Sequence, residues 1–92
     1  MASEIKLQSK IIKYLKKNAD YVNRITKATF NGICDLFFVL KGVTYFIEVK
    51  DKDSGKIAPI QQYVIAKLNK HSKIAFIIDD YDEFLELYEK LK

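Results

Sequence analysis

Cysteine, proline, glycine and tryptophan are all scarce in this sequence of 92 residues. It contains one cysteine, one proline, three glycines and no tryptophan. A single cysteine excludes an internal disulfide framework and a zinc site made of several cysteines, and we expect a reducing, cytoplasmic location. The low glycine and proline content, together with 49% apolar residues, excludes the disordered and fibrous classes of protein.

Long hydrophobic runs are also missing from the sequence. No apolar stretch approaches the ~18 residues that cross a bilayer, and the N-terminus lacks the apolar stretch of a signal peptide. We therefore expect no contact with a membrane. The length predicts a single domain over residues 1–92. So small a chain buries only roughly 60–65% of its unfolded surface, and a second copy would help to complete its core.

Positive charge dominates all but the last segment of the chain. Lys and Arg number 16 against 12 acidic residues, which gives a formal net charge of +4. Residues 1–30 carry a net charge of +5 and residues 31–78 a net charge of +3, whereas residues 79–92 carry −4. A basic body with an acidic tail is compatible with a polyanionic partner such as nucleic acid, and equally with a need for solubility.

Hydrophobic periodicity divides the chain into three helices and four strands. Apolar residues at helical spacing predict helices over 3–18, 59–70 and 79–91, and Pro59 suits the first turn of the second helix. Segments rich in β-branched and aromatic residues predict strands over 21–29, 33–40, 43–49 and 73–78. The predicted fold class is therefore α/β, with the element order α-β-β-β-α-β-α.

A predicted hairpin brings two carboxylates together. Lys41 and Gly42 form a two-residue turn signal, which pairs strand residues whose numbers add up to 83. Asp35 then lies opposite Glu48 on one face of the sheet, where like charges are destabilising. Lys50 lies on the same face, two residues beyond Glu48. One ammonium group cannot neutralise two carboxylates, and the remaining negative charge favours a divalent cation at this point.

Two further polar side chains are predicted to point inward. Glu4 lies within the apolar arc of the first helix, and Gln61 lies within that of the second, where it could cover Glu48 and Lys50. Glu4 has a simpler alternative, because a residue in a frayed first turn reaches water. The alternative for the whole set is a buried salt-bridge network, although buried ion pairs are poor sources of stability.

The order and spacing of these residues resemble the PD-(D/E)XK nuclease superfamily. The sequence is similar in particular to the VRR-NUC family, in which a Gly-x-Pro-Asp strand, a Glu-Val-Lys strand and a Ser-Pro-x-Gln helix start follow one another. The corresponding segments here are Gly32-Ile33-Cys34-Asp35, Glu48-Val49-Lys50 and Ala58-Pro59-Ile60-Gln61. The departures from the family pattern are Cys34 for Pro, Ala58 for Ser, and His71-Ser72 for a Gly after the second helix.

The resemblance implies a restriction-endonuclease-like core, with a mixed central sheet flanked by helices. It implies a divalent-metal-dependent endonuclease in which Asp35, Glu48 and the backbone carbonyl of Val49 hold Mg²⁺ or Mn²⁺. Glu4 would bind the same ion, directly or through water. Small members of the family look like homodimeric junction resolvases, so the substrate implied for this chain is branched DNA such as a four-way (Holliday) junction.

The resemblance also implies roles for two residues beside the metal. Lys50 would orient or help to deprotonate the attacking water, and Gln61 would position Lys50 or the phosphate. The departures from the family pattern remove none of the implied metal ligands. The sequence contains no phosphate-binding glycine loop and no nucleophile elbow, and we expect no organic cofactor.

Lysines are the expected contacts to DNA. Lys52 and Lys56 follow the strand that carries Glu48, and Lys6 and Lys10 lie on the polar arc of the first helix. The alternative for the helical lysines is a solvated face. Two competing functions remain open, a DNA-binding module that does not cut and a nuclease that acts on another nucleic acid such as RNA.

Overall fold

The part of the chain that the structure describes contains three helices and four strands, in the predicted order. The computed structural model describes residues 2–26, 34–53 and 56–92, and within them the side chains from residue 4 onward. The elements are α1 (Ala2–Asn18), β1 (Tyr21–Arg24), β2 (Leu36–Leu40), β3 (Val43–Val49), α2 (Pro59–Leu68), β4 (Ala75–Ile78) and α3 (Tyr81–Leu91). No helix in this part of the chain is long and apolar enough to cross a membrane.

The strands form one mixed sheet in the order β1-β2-β3-β4. The β1–β2 and β2–β3 pairs are antiparallel, and the β3–β4 pair is parallel. A parallel pair requires a crossover connection, and α2 supplies it here. The predicted α/β class with a mixed sheet flanked by helices is therefore confirmed.

The β2–β3 hairpin has the predicted register. The residue numbers of its paired positions add up to 83 throughout the ladder. Lys41 and Gly42 have φ angles of 53° and 81°, and positive values at both positions are what a two-residue type I′ turn requires. Lys41 carries a Cβ and is disfavoured in this conformation. Its N–H donates a hydrogen bond to Oδ2 of Asp20 at 2.9 Å, which helps to hold the turn.

Several boundaries differ from the prediction. The first strand was expected to reach residue 29, but it ends at Arg24, and residues 27–29 lie outside the described part of the chain. The second strand begins at Leu36 instead of residue 33, which also lies outside that part. α1 begins one residue earlier than predicted, and α3 begins at Tyr81 with Asp80 as its N-cap, two residues after the predicted start.

The second helix ends two residues early because of one side chain. Asn69 Oδ1 accepts hydrogen bonds from the N–H groups of Ile74 and Ala75, both at 2.8 Å, and its Nδ2 donates to the carbonyl of Ala75 at 3.0 Å. These contacts tie the end of α2 to the start of β4. They set the end of the helix at Leu68 and the start of the strand at Ala75.

One face of the sheet carries the apolar core. Because side chains alternate along a strand, the even-numbered residues of β2 and the odd-numbered residues of β3 share this face, where α1 and α3 cover them. The buried cluster consists of Ile11, Leu15, Leu36, Phe38, Leu40, Ile47, Val49, Ile78, Phe84 and Tyr88. Glu48 belongs to the other face, over which α2 crosses.

Candidate functional site

Glu48 is a buried charged residue inside an apolar strand. It is 2% exposed and lies between Ile47 and Val49, which belong to the core. Its Oε2 atom is 3.3 Å from Nζ of Lys50 and accepts a hydrogen bond of 2.7 Å from Nε2 of Gln61. The structure thus brings together three of the predicted site residues, and it places Gln61 over Glu48 as the helical pattern predicts.

The second carboxylate oxygen of Glu48 has no partner within the described residues. Oε1 is buried and makes no hydrogen bond to them. Burial, followed by the nearby charge of Asp35, raises the pKa of the Glu48 carboxyl from 4.5 to about 7, although Lys50 and Gln61 oppose the shift. An unsatisfied carboxylate oxygen in a buried place is costly unless something binds it. Glu48 Oε1 is therefore suited to a cation.

Asp35 reaches the same place by a different route from the predicted one. The β2–β3 ladder ends at the pair Leu36–Ile47, so Asp35 does not form a strand pair with Glu48. Instead, its N–H donates to the carbonyl of Ile47 at 3.0 Å, and its Oδ2 accepts from the N–H of Val49 at 2.7 Å. Burial raises the pKa of Asp35, and the hydrogen bond from Val49 opposes this shift.

Gln61 is oriented by the start of its helix. Ala58 is the N-cap of α2 and makes no side-chain capping bond, because its methyl group has no hydrogen-bonding atom. The side chain of Gln61 compensates, since its Oε1 accepts from the N–H of Ala58 at 3.0 Å. With its oxygen bound to a donor, the amide nitrogen of Gln61 faces Glu48. The side chain of Gln61 therefore both caps the start of α2 and binds the carboxylate of Glu48.

Glu4 connects α1 to this cluster. It is half-buried, and its Oε1 accepts a hydrogen bond from the N–H of Asp51 at 3.2 Å. Its charge is close enough to contribute to the raised pKa of Asp35. The expectation of an inward-pointing Glu4 is met by this contact with the end of β3, whereas its binding to a metal through water stays a prediction.

The oxygen atoms at this place fit a small divalent cation. Within residues 2–26, 34–53 and 56–92, no group of three or more His, Cys, Asp or Glu side chains is close enough to hold a metal ion. Mg²⁺ commonly uses one or two carboxylates and keeps several waters, so Asp35 and Glu48 are ligands of the type and number that it uses. The orphaned Oε1 of Glu48 is the observation that favours this fit.

Cys34 lies beside the carboxylates but is not suited to nucleophilic chemistry. Its side chain is 1% exposed, and burial, followed by the charges of Glu48 and Asp35, raises the pKa of its thiol to about 12. The thiolate is the reactive form of cysteine, and it is not populated near neutral pH at such a pKa. The chemistry of the cluster therefore rests on its oxygen and nitrogen atoms.

Three of the four predicted DNA-contacting lysines line one cavity. We call it the near cavity: it has a volume of about 280 Å³ and is lined by Lys6, Leu7, Lys10, Lys50, Asp51, Lys52, Asp79, Asp80 and Tyr81. Lys56 is exposed and does not belong to this lining. The predicted contacts Lys6, Lys10 and Lys52 are thus adjacent to Lys50.

Sequence reasoning missed the acidic wall of the near cavity. Asp80 caps α3 by accepting from the N–H of Glu83 at 3.1 Å, in keeping with its expected place at a helix start. Its other oxygen, Oδ1, lies 3.3 Å from Nζ of Lys52, so the charge of this lysine is partly compensated. The two residues are 28 positions apart, and no local pattern signals such a contact.

Comparisons with known proteins support the fold. No family model matches this sequence, and no curated protein matches it significantly. A solved structure of a VRR_NUC domain superposes on the chain with a TM-score of 0.85, at 23% sequence identity, and the match covers 98% of both chains. The chain has the fold of a VRR-NUC domain over nearly its whole length. The resemblance inferred from the sequence is confirmed at the level of the fold.

Proposed function

We propose that this chain is a divalent-metal-dependent endonuclease that hydrolyses phosphodiester bonds in DNA. The observation that carries the proposal is the buried, unpartnered Oε1 of Glu48 beside Asp35, in a chain with the fold of a nuclease domain. A protein that only binds DNA has no need to hold one buried and one half-buried carboxylate where a phosphate must approach. The cluster therefore favours catalysis over the alternative of a binding module.

Asp35, Glu48 and the backbone carbonyl of Val49 would hold Mg²⁺ or Mn²⁺. Such an ion polarises a phosphoryl oxygen and lowers the pKa of a bound water. The hydrogen bond from Val49 N–H fixes the side chain of Asp35 at the end of β3, and Gln61 fixes that of Glu48. Both carboxylates are thus held by hydrogen bonds before an ion binds, as in a prearranged site.

Lys50 adds a positive charge beside the proposed metal site. Its side chain is 16% exposed and its Nζ lies 3.3 Å from Glu48 Oε2, so it borders both the carboxylates and the near cavity. From this position it can bind a phosphate oxygen or orient the attacking water. Lys6 and Lys10 line the same cavity and offer contacts to neighbouring phosphates. We include Lys52 and Lys56 among the DNA contacts. Lys52 should bind phosphate more weakly, because Asp80 partly compensates its charge.

We further propose that the substrate is branched DNA, such as a four-way junction, and that the active form is a homodimer. The branched substrate is supported by the likeness to VRR-NUC domains, and the dimer by the small size of the chain and by exposed apolar side chains. Ile60 and Tyr63 on α2 are 47% and 58% exposed, and Ile77 on β4 is 43% exposed. A two-fold dimer would place two identical sites on one particle. Light scattering tests the dimer directly.

A cleavage panel tests the function. Labelled four-way junction, flap, linear duplex and RNA are incubated with the protein in Mg²⁺, Mn²⁺ or EDTA. We expect cleavage of the junction with either metal and none in EDTA. Asp35→Asn and Lys50→Gln should remove cleavage while binding of the junction persists in EDTA. The matched control Glu86→Gln changes an exposed carboxylate on α3 and should cleave normally.

The competing functions give different results in the same panel. Binding without cleavage in any metal would support the non-catalytic module and overturn the proposed function. Cleavage confined to RNA would assign the same chemistry to another nucleic acid.

A further inference from the structure

A second basic cavity adjoins the near cavity on the outer side of α1. We call it the far cavity: it has a volume of about 300 Å³ and is lined by Lys10, Lys13, Tyr14, Lys17 and Tyr81. Lys10 and Tyr81 line both cavities. The two cavities are therefore neighbours, and together they lead from Lys50 along the helix.

The lysines of these cavities form a straight stripe on α1. Lys6, Lys10, Lys13 and Lys17 are separated by four, three and four positions, and at 100° per residue they fall within an arc of about 60°. We call them the lysine track. The track is about 16 Å long at 1.5 Å per residue. Successive phosphates of one strand advance by about 3.4 Å along the axis of duplex DNA, so the track matches an axial rise of about five base pairs.

Tyr81 contacts Lys10, which lies in the middle of the lysine track. The Nζ atom of Lys10 lies 4.4 Å from the centroid of the Tyr81 ring, within the range of a cation–π contact. Tyr81 is the first residue of α3, so the start of this helix forms a wall opposite α1. This contact holds the ammonium group of Lys10 between the two cavities.

The charges of the two cavities differ in a way that gives the track a direction. The near cavity contains Asp51, Asp79 and Asp80 besides its lysines, whereas the lining of the far cavity contains no carboxylate. A polyanion entering at Lys50 meets increasingly uncompensated positive charge as it follows α1 away from the acidic wall. Charge complementarity and continuity with Lys50 both favour a phosphodiester backbone as the occupant.

We infer that the lysine track binds the backbone of a DNA arm that extends beyond the scissile phosphate, with Lys13 and Lys17 contacting the phosphates farthest from the metal cluster. This inference rests on the proposed function, because it takes Lys50 as the residue at the scissile phosphate. It assigns to Lys13 and Lys17 a binding role that their surface position alone does not suggest. It also predicts that DNA leaves the active site along α1 and not along α2.

Equilibrium binding tests the track independently of cleavage. A fluorescein-labelled four-way junction is titrated in EDTA at several salt concentrations, with the whole chain and two double variants of equal charge. The test variant is Lys13→Gln/Lys17→Gln, and the control is Lys16→Gln/Lys70→Gln. Lys16 and Lys70 are exposed, like the test residues, but they line neither cavity. All four positions are on the surface, and matching thermal melts verify the folding of both variants.

The slope of log K against log salt measures the number of phosphate contacts. Each lost contact reduces the steepness of this slope by about 0.9, so the test variant should lose about 1.8 and bind more weakly, while the control retains the slope of the unmodified chain. Equal slopes for the two variants would overturn the track. The test variant is also mixed with vesicles that contain anionic lipid. If it lost binding to the vesicles but bound the junction as tightly as the unmodified chain, the inference would be overturned in favour of a membrane surface as the ligand of these lysines.

The same experiment separates the track from the proposed function. If the unmodified chain cuts no nucleic acid but the test variant alone loses phosphate contacts, the track stands and the nuclease assignment fails. If the chain cuts the junction and the two variants bind it equally, the nuclease assignment stands and the track fails.

Discussion

Both sides of β3 are buried near its end, but one side carries apolar residues and the other carries a charged residue. On one side Ile47 and Val49 are completely enclosed in the apolar core between the sheet, α1 and α3. On the other side Glu48 is enclosed as thoroughly, but it keeps an unpartnered oxygen and an elevated pKa. Burial stabilises the first side through the hydrophobic effect, and it raises the free energy of the second through loss of hydration.

This contrast separates the side of the strand that serves stability from the side to which we assign the proposed chemistry. A buried ion pair such as Glu48–Lys50 contributes little or nothing to stability compared with apolar residues of the same size. A chain that only needed to fold would place an apolar residue at position 48, as it does at 47 and 49. Exchanging residues on each side should therefore separate stability from activity, and the following predictions make that separation measurable.

The largest effect is expected from Glu48→Gln. This variant keeps the shape of the side chain but removes the charge that would bind the cation, and cleavage should fall by about 1,000-fold or more, or about 4 kcal/mol of transition-state stabilisation. Its free energy of unfolding in EDTA should be equal to or above that of the unmodified chain. Single-turnover cleavage and urea denaturation measure the two quantities. A variant that cleaves normally would contradict the assignment of Glu48.

On the core side, Ile47→Ala should act on stability. Removing three methyl or methylene carbons from a fully enclosed position leaves a cavity, and we expect the free energy of unfolding to fall by about 3 kcal/mol. Cleavage per folded molecule should change much less than in Glu48→Gln. Val43→Ala is the matched control, since Val43 lies on the same strand but is 41% exposed. An equal loss of stability in both variants would show that β3 is not enclosed as described.

The pH dependence of stability should reveal the raised pKa of Glu48. A carboxyl whose pKa is higher in the folded state than in the unfolded one stabilises the fold below its unfolded pKa, and this contribution is lost as pH rises through the folded pKa. In EDTA the free energy of unfolding should therefore decrease between about pH 4.5 and pH 7. Mg²⁺ should reverse the decrease, because it binds the ionised carboxylate. Glu48→Gln should flatten the profile, and an unchanged profile in that variant would contradict the shift.

The smallest effect is expected at the turn that joins the two strands. Lys41 has a positive φ, which asparagine tolerates better than lysine, so Lys41→Asn should raise the free energy of unfolding by about 0.5 kcal/mol. Lys41→Gln removes the same charge without easing the backbone and serves as the control. Thermal denaturation distinguishes them. Equal melting temperatures would show that the turn is not strained, and cleavage should be unaffected in both variants.

The bounds of β3 illustrate what local sequence predicts well. The predicted strand over 43–49 is the observed one, because the Lys41-Gly42 turn sets the register and β-branched and aromatic residues follow it as far as Ile47. Gln61 is a similar case, since its position in a helix that begins at Pro59 already orients it inward. For this reason the cluster of Glu48, Lys50 and Gln61 could be predicted from the sequence.

Long-range contacts of single side chains account for what the sequence did not predict. The end of α2 depends on Asn69 binding the backbone of β4, and helix propensity contains no information about that contact. Asp35 was expected to face Glu48 across the ladder, but its N–H binds Ile47 and its carboxylate binds the amide of Val49. A hydrogen bond to a backbone amide competes with regular strand pairing at the end of a strand, and the pairing rule does not include it.

The sequence by itself determined the element order, the hairpin register and the types of residue at the site, because these depend on periodicity and turn chemistry within a few positions. Only the tertiary structure decided which oxygen of Glu48 lacks a partner, that Asp80 compensates Lys52, and that Lys10 and Tyr81 join two basic cavities. These features arise where α1, β3 and α3 meet in space. Their residues are far apart along the chain, and only the packing of the helices against the sheet determines which of them come within contact distance.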